Sequence, residues 1–279
     1  MPIDYDPTIE SLIRPERRET VLVSGVACSD LQLAVEAARL AYCRAETSTT
    51  ERARLESALG SVGYHSLQCF TAQTGTQAFA AYHAGRRAAL VAFRGTQPDS
   101  PQDIAVDAGA LPVPWSGGGR VHAGWLYAFE SVRRDTERWL ATYAAERKSL
   151  LICGHSLGAA LATIAASAWR PTQLITLGSP RVGDGEFVRS LSGIETRRIV
   201  DCCDLVTRVP PRGTYEHTPG LVFITRDGTA TQDPPEETIA SERMRARVDY
   251  LERYVRPGNA PGREFADHAP VNYLRAFFS

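Results

Sequence analysis

The chain contains no run of about 18 apolar residues, so its sequence predicts no transmembrane helix. It also lacks an excess of either charge. Its 31 Lys and Arg residues are set against 32 Asp and Glu, a net of −1, and no global field draws nucleic acid or an anionic membrane. There is no HExxH, no paired CxxC and no phosphate-cradling P-loop, so neither a metal nor an organic cofactor is implied. The start, Met1-Pro2-Ile3-Asp4-Tyr5-Asp6, has neither the basic residues nor the apolar core of a signal peptide. That reading expects a cytoplasmic protein, with export by a route needing no such signal as the alternative. Six cysteines, at 28, 43, 69, 153, 202 and 203, are few for this length. Cys202 and Cys203 are neighbours, and a bond between them would be strained. Most or all are expected as free thiols, with one N-terminal pair left open.

What is present is ordinary globular material, 43% hydrophobic and 23% charged over 279 residues, enough for one large α/β domain or two small ones. Residues 1–30 read as a surface arm. Residues 31–42 (LQLAVEAARLAY) have apolar positions at helical spacing after the caps Ser29 and Asp30, and a second helix is expected over 50–59. Segments 77–83 and 88–93 flank a turn and read as antiparallel strands. A helix over 124–145 leads to a short apolar strand at 149–153, and further strands are expected at 174–177, 197–200 and 221–224. Helices alternating with short apolar strands predict a mostly parallel central sheet with helices on both faces. Residues 225–261 are polar, bounded by Pro234-Pro235 and Pro257-Gly258-Asn259-Ala260-Pro261, with one charged helix over 236–255. They read as a solvated insertion into a single domain spanning 31–279.

The chemistry centres on Gly154-His155-Ser156-Leu157-Gly158, a G-x-S-x-G sequence with a strand before it and an Ala- and Leu-rich helix after it. A strand-to-helix turn this tight needs glycine on both sides of its apex and leaves the serine hydroxyl clear of the sheet. The helix start then presents free N–H groups to charge developing beside that hydroxyl. Serine is a poor nucleophile unless a base takes its proton and a carboxylate orients the base. On this type of sheet the chain order is Ser, then Asp or Glu, then His. Only His217 and His268 follow Ser156, and His268, beyond the insertion, is the favoured base. Asp201 and Asp204 both follow the strand ending at Val200, on the edge where active sites form, while Asp184 reads as a turn cap. Leu157 supplies one oxyanion donor, and Phe93-Arg94-Gly95-Thr96 fits a strand and turn that supply the second.

Taken together these segments resemble the class 3, fungal-type lipase family of the α/β-hydrolase superfamily. Residues 91–96 (VAFRGT) look like its oxyanion segment, with Thr96 on the oxyanion position. Val121-His122-Ala123-Gly124-Trp125 is similar to its VHxGF element, and residues 176–183 (TLGSPRVG) to its FGxPRVG element. Residues 203–211 (CDLVTRVPP) resemble NDxVPRLPP, which implies Asp204 rather than Asp201 as the triad acid. Asp267-His268-Ala269-Pro270-Val271-Asn272-Tyr273 resembles the terminal DHxxY element and implies His268. The match spans about 31–224 and 264–278. It implies an α/β-hydrolase fold and a carboxylic-ester hydrolase working through Ser156, Asp204 and His268, with Thr96 and Leu157 as the oxyanion hole. The implied partner is a small-molecule or lipid ester, met through transient contact with a lipid interface. Where the family carries its lid, residues 97–107 are short and polar, which argues against strong interfacial activation. The alternatives are a phospholipase A-type acyl hydrolase and a non-catalytic binding protein of the same fold.

Overall fold

The computed structural model describes residues 3–95 and 111–278. Its frame is an eight-stranded sheet. In spatial order the strands are β1 (His65–Thr71), β2 (Gln77–His83), β3 (Ala88–Phe93), β6 (Ser149–His155), β7 (Gln173–Leu177), β8 (Glu195–Asp201), β9 (Leu221–Ile224) and β10 (Ala230–Gln232). From β3 to β9 the neighbours are parallel, and both edges are antiparallel. β4 (Pro112–Pro114) and β5 (Arg120–His122) form a separate ribbon. This is the mostly parallel sheet expected from the alternation of elements. β3 is buried along its whole length and β6 along all but its first residue, as expected of parallel strands covered on both faces.

Strand alternation divides the core. Leu151, Cys153, Ile175 and Ile199 point to one face, where α2 (Asp30–Leu40) and α9 (Pro270–Leu274) pack. Leu150, Ile152 and Leu174 point to the other, beneath α4 (Ala123–Thr142) and α5 (Leu157–Trp169). Leu174 pairs with Thr196, so Arg198 and Val200 share that second face farther along the sheet. There α7 (Glu236–Arg253) buries Ala246 and sets Ile239 against Val200 and Phe223. The segment expected as a solvated insertion is therefore partly core, because its helix keeps an apolar row within a charged sequence.

Of residues 3–30, read from sequence as a surface arm, the stretch 3–22 is largely packed into the body while 23–27 are exposed. Tyr5 donates its hydroxyl to the buried Asp267 at 2.9 Å, and its ring lies between the guanidinium groups of Arg263 and Arg275, 4.3 and 4.9 Å away. The backbone continues the attachment, with Ile9 N–H donating to Gly258 and Ala260 N–H to Pro7. These partners lie some 250 residues downstream, beyond what local patterning reveals. α2 starts at a capping box built by Ser29 and Gln32 and carries a fully buried ion pair, Arg39 to Glu36 at 2.6 Å. Arg39 also caps the carbonyls of Pro15 and Arg18, and Glu36 accepts from Thr20 and Val21. This pair ties the N-terminal segment to α2.

Removing one member of a buried pair leaves an uncompensated charge. Arg39→Met is expected to cost about 3–5 kcal/mol in urea unfolding, and Arg39→Met with Glu36→Leu to recover part of that loss. A single variant within about 1 kcal/mol of the wild type would place the pair in the class of weak surface bridges instead.

Candidate active site

β6 ends at His155 and α5 begins at Leu157, so Ser156 is the whole connection. Its backbone sits at φ 58° and ψ −126°, a region costing a non-glycine residue about 1–3 kcal/mol. The surroundings hold it there. A Cβ on Gly154 would lie 2.3 Å from the Gly158 carbonyl oxygen, and one on Gly158 would lie 2.2 Å from that of Phe93. The two glycines of the motif are thus the points where β6, α5 and β3 touch backbone to backbone. Leu157 and Gly158 open α5, so their N–H groups have no partner inside the helix.

His268 lies between α8 (Arg263–Ala266) and α9, and its Nε2 is 2.9 Å from Ser156 Oγ. On the far side of the ring, Nδ1 is 2.9 Å from Asp204 Oδ2, just beyond β8. All three side chains are buried. The carboxylate is itself pinned. Oδ1 accepts from Val206 N–H at 2.8 Å, and Oδ2 also accepts from the Tyr273 hydroxyl at 2.5 Å. A carboxylate that receives the Nδ1 proton leaves Nε2 of the neutral ring as an acceptor facing the serine hydroxyl.

The x position of the motif, His155, has a second task. Its Nε2 can only donate to the His268 carbonyl oxygen at 2.9 Å, so its Nδ1 accepts from Tyr42 Oη at 2.8 Å. Burial first, and then the neighbouring His268, hold its pKa well below the usual histidine range. His155 therefore stays neutral and fastens the backbone of the residue that faces Ser156. Gly178, just after β7, has φ +56°, and a Cβ there would lie 2.6 Å from Asp204 Oδ2 and 3.2 Å from His268 Nδ1. Only a bare backbone in the left-handed region fits beside the pair.

A cavity of about 1110 Å³ opens beside Leu157, the residue after Ser156. Gly95 and Leu157 line it near the serine, and a Cβ on Gly95 would come 3.2 Å from Ser156 Cβ. Trp125, Tyr127 and Leu161 give it an apolar wall, and Arg94 pairs with Glu46 at 3.3 Å on another.

The remaining sequence candidates are placed elsewhere. His217 donates from Nε2 to the Thr207 carbonyl at 2.8 Å, and Asp201 pairs with Arg275 at 2.9 Å. Asp184 caps α6 (Gly185–Ser190) by accepting from Phe187 N–H. Thr96 and the stretch 97–107 lie outside the described residues. Tyr273 stood in the DHxxY element with no role assigned, and Tyr42 and Gly178 had none either. A tyrosine gives no local sign of a carboxylate 69 positions away.

All six cysteines are free thiols. Cys202, Cys203 and Asp267 gather in one group, yet they do not fit a metal. Both oxygens of Asp267 are occupied, Oδ1 by Tyr5 and Arg263 and Oδ2 by Cys203 N–H. The hydrogen bond with Cys203 and then burial push the Cys202 thiol far up, away from the thiolate a metal needs.

The family model for lipase (class 3) matches residues 90–214. Over 234 residues the chain is 30% identical to secreted mono- and diacylglycerol lipase 1 of Fusarium solani, covering 76% of this chain and 68% of that protein. The chain belongs to the class 3 lipase family. It is also 28% identical over 195 residues to phospholipase A1-II 4 of Oryza sativa subsp. japonica, covering 56% of this chain and 48% of that protein. It spans between 31% and 48% of the length of the first three plant phospholipases it matches. The lipase of Rhizopus microsporus var. chinensis has the same fold, with a TM-score of 0.63 at 23% identity over 96% of this chain and 93% of that one. The fold is thus the α/β-hydrolase fold in its class 3 lipase form.

Two outcomes follow. Gly178→Ala should reduce turnover of a p-nitrophenyl ester by about a hundredfold or more, the scale of a misplaced reacting group. Retained activity would mean that this contact does not position the pair. The second concerns His217, whose pKa is lowered to about 3 by burial and then by Arg198 and Arg181. The unfolded chain takes a proton there below about pH 6.5 and the folded chain does not, so stability is lost as pH falls through that window. His217→Gln should flatten the decline of unfolding free energy between pH 6.5 and 4 by about 1.4 kcal/mol per unit, read from urea unfolding at each pH. An unchanged slope would contradict it.

Proposed function

We propose that this protein is a serine carboxylic-ester hydrolase that cleaves acylglycerols or other fatty-acyl esters. The observation that carries the reading is the hydrogen-bonded row from Ser156 Oγ through His268 to Asp204, at 2.9 Å per step, beside a cavity with one apolar wall. Ser156 Oγ attacks the acyl carbonyl as His268 Nε2 takes its proton. Asp204 keeps Nδ1 protonated and stabilises the imidazolium. The tetrahedral oxyanion is met by Leu157 N–H at the head of α5 and, on chain order, by Thr96. Losing one such donor typically costs about a hundred- to a thousandfold in rate. His268 then protonates the leaving alcohol, and water repeats the sequence on the acyl-enzyme, needing no metal or organic cofactor.

An ester carried on an apolar chain suits the wall formed by Trp125, Tyr127 and Leu161. Tyr127 is 70% exposed at this cavity, a site for transient contact with a lipid interface. No helix among the described residues is long and apolar enough to cross a membrane. The similarity to plant phospholipases A1 favours a second reading, release of one acyl chain from a phospholipid.

The test is hydrolysis of p-nitrophenyl esters from acetate to palmitate, below and above their solubility limits, with dioleoyl glycerol and phosphatidylcholine alongside. Hydrolysis that drops by about 10⁴-fold or more in Ser156→Ala supports the reading. A rate that rises smoothly through the solubility limit supports the weak interfacial activation expected of residues 97–107, and a jump there contradicts it. Phosphatidylcholine cleaved in preference to the glyceride moves the assignment to the phospholipase. Ester hydrolysis that survives in Ser156→Ala overturns the mechanism.

A further inference from the structure

A second cavity, of about 400 Å³, shares no lining residue with the cleft beside Ser156. It lies between the first two turns of α7 and the face of β8 and β9 that α7 covers, with Val200, Phe223 and Ile239 as an apolar floor. Its walls carry five arginines, at 181, 198, 208, 212 and 243. Three are anchored by backbone carbonyls. Arg181 Nη1 donates to Arg208 and Pro210 at 2.7 and 2.5 Å, Arg198 Nε to Thr218 at 3.1 Å, and Arg243 Nε to Cys202 at 2.8 Å. These bonds fix the planes of the guanidinium groups and neutralise none of their charge.

Carboxylates are scarce around them. Among the described residues, Arg181, Arg198, Arg208 and Arg243 form no ion pair with a carboxylate. Arg212 does pair with Glu236, at 3.1 Å, but both side chains are exposed and such pairs are weak. Asp233 faces Arg198, and one of its oxygens already accepts from Leu221 N–H. His217 stands in the same wall. Its Nε2 donates to Thr207, which leaves Nδ1 as a buried acceptor with no partner. The excess positive charge is felt by its members. Burial and then Arg181 bring Arg198 down to about 10, and Arg181 and Arg243 are lowered in the same way by burial and a neighbouring arginine.

We propose that this cavity is a binding site for a phosphate-bearing ligand, clasped by Arg198, Arg208, Arg212 and Arg243. Three of these guanidinium groups have no carboxylate ion pair and Arg212 has only an exposed one, while a phosphate offers up to two charges and several oxygens for planar forks. His217 Nδ1 accepts from a protonated phosphate oxygen or a ligand hydroxyl. The apolar floor takes an organic part of modest size. The site is independent of the ester chemistry proposed for Ser156. Two sources share this chemistry, a free phosphate ester and a phospholipid headgroup.

Calorimetric titration at constant ionic strength tests it, with inorganic phosphate, glycerol 3-phosphate and a short-chain phosphatidic acid kept monomeric. Saturable one-site binding is expected, weakened about tenfold or more by Arg243→Gln or by Arg208→Gln. Arg208 and Arg212 are exposed, so Arg208→Gln and Arg212→Gln keep the test open if Arg243→Gln fails to fold. The His217 ring signals should shift on saturation, since Nδ1 gains a hydrogen-bond partner and an anion offsets the arginine charge that adds to burial in disfavouring the protonated ring. Tighter binding of the phosphatidic acid assigns the site to a lipid headgroup, and equal or tighter binding of glycerol 3-phosphate assigns it to a soluble ester. Absence of saturable binding of all three by the wild type, or affinities unchanged in every variant, overturns the proposal.

Discussion

The site depends on one backbone constraint, the conformation of Ser156 at φ 58° and ψ −126°. A serine does not hold such a conformation unaided. It persists because two parallel strands and a helix meet without side chains between them, at Gly154, Gly158 and the Phe93 carbonyl. Those contacts set where α5 begins, and so which N–H groups face the space beside the hydroxyl. They also bring β3 against β6, so the loop leaving β3 at Gly95 passes within van der Waals reach of Ser156.

Around that fixed point the fold supplies its partners from far along the chain. Asp204 is oriented by Val206 and Tyr273, and His268 is oriented by Asp204 on its ring and by His155 at its carbonyl. His155 links through Tyr42 to the end of α2, so the helix that begins at a local capping box ends against the strand that carries Ser156. The N-terminal residues join the same assembly. Tyr5 and Arg263 hold Asp267, the neighbour of His268 in sequence. Both chain ends thus converge on the turn that carries His268.

The central strands and helices were legible because their signals are local. β3, β6 and β7 are short apolar runs, α2 has its caps, and the strand–Gly–x–Ser–x–Gly–helix sequence states its own turn. Asp204 and His268 were legible only in part. Residue chemistry left Asp201 and Asp204 open, and family resemblance separated them. The structure adds that Asp201 faces Arg275 whereas Asp204 faces His268. β1 and β10 escaped notice because they are edge strands with mostly exposed side chains, β10 having three residues, all exposed, and β1 only a short apolar stretch at Leu67, Cys69 and Phe70. The contacts of Tyr5 and Tyr42 and the arginine-lined cavity were not legible at all. Each acts through partners brought together by tertiary packing, and nothing in its immediate sequence marks it.

The claim that matters most is that the hydrogen-bonded row makes Ser156 a nucleophile, and covalent labelling tests it without assuming a substrate. A fluorophosphonate reacts with an activated serine hydroxyl and leaves a mass that peptide mapping locates. One label per chain is expected on Ser156, none in Ser156→Ala, and a labelling rate lowered by orders of magnitude in His268→Ala, where the hydroxyl remains but the imidazole is gone. Labelling of another serine, or an unchanged rate in His268→Ala, would contradict it.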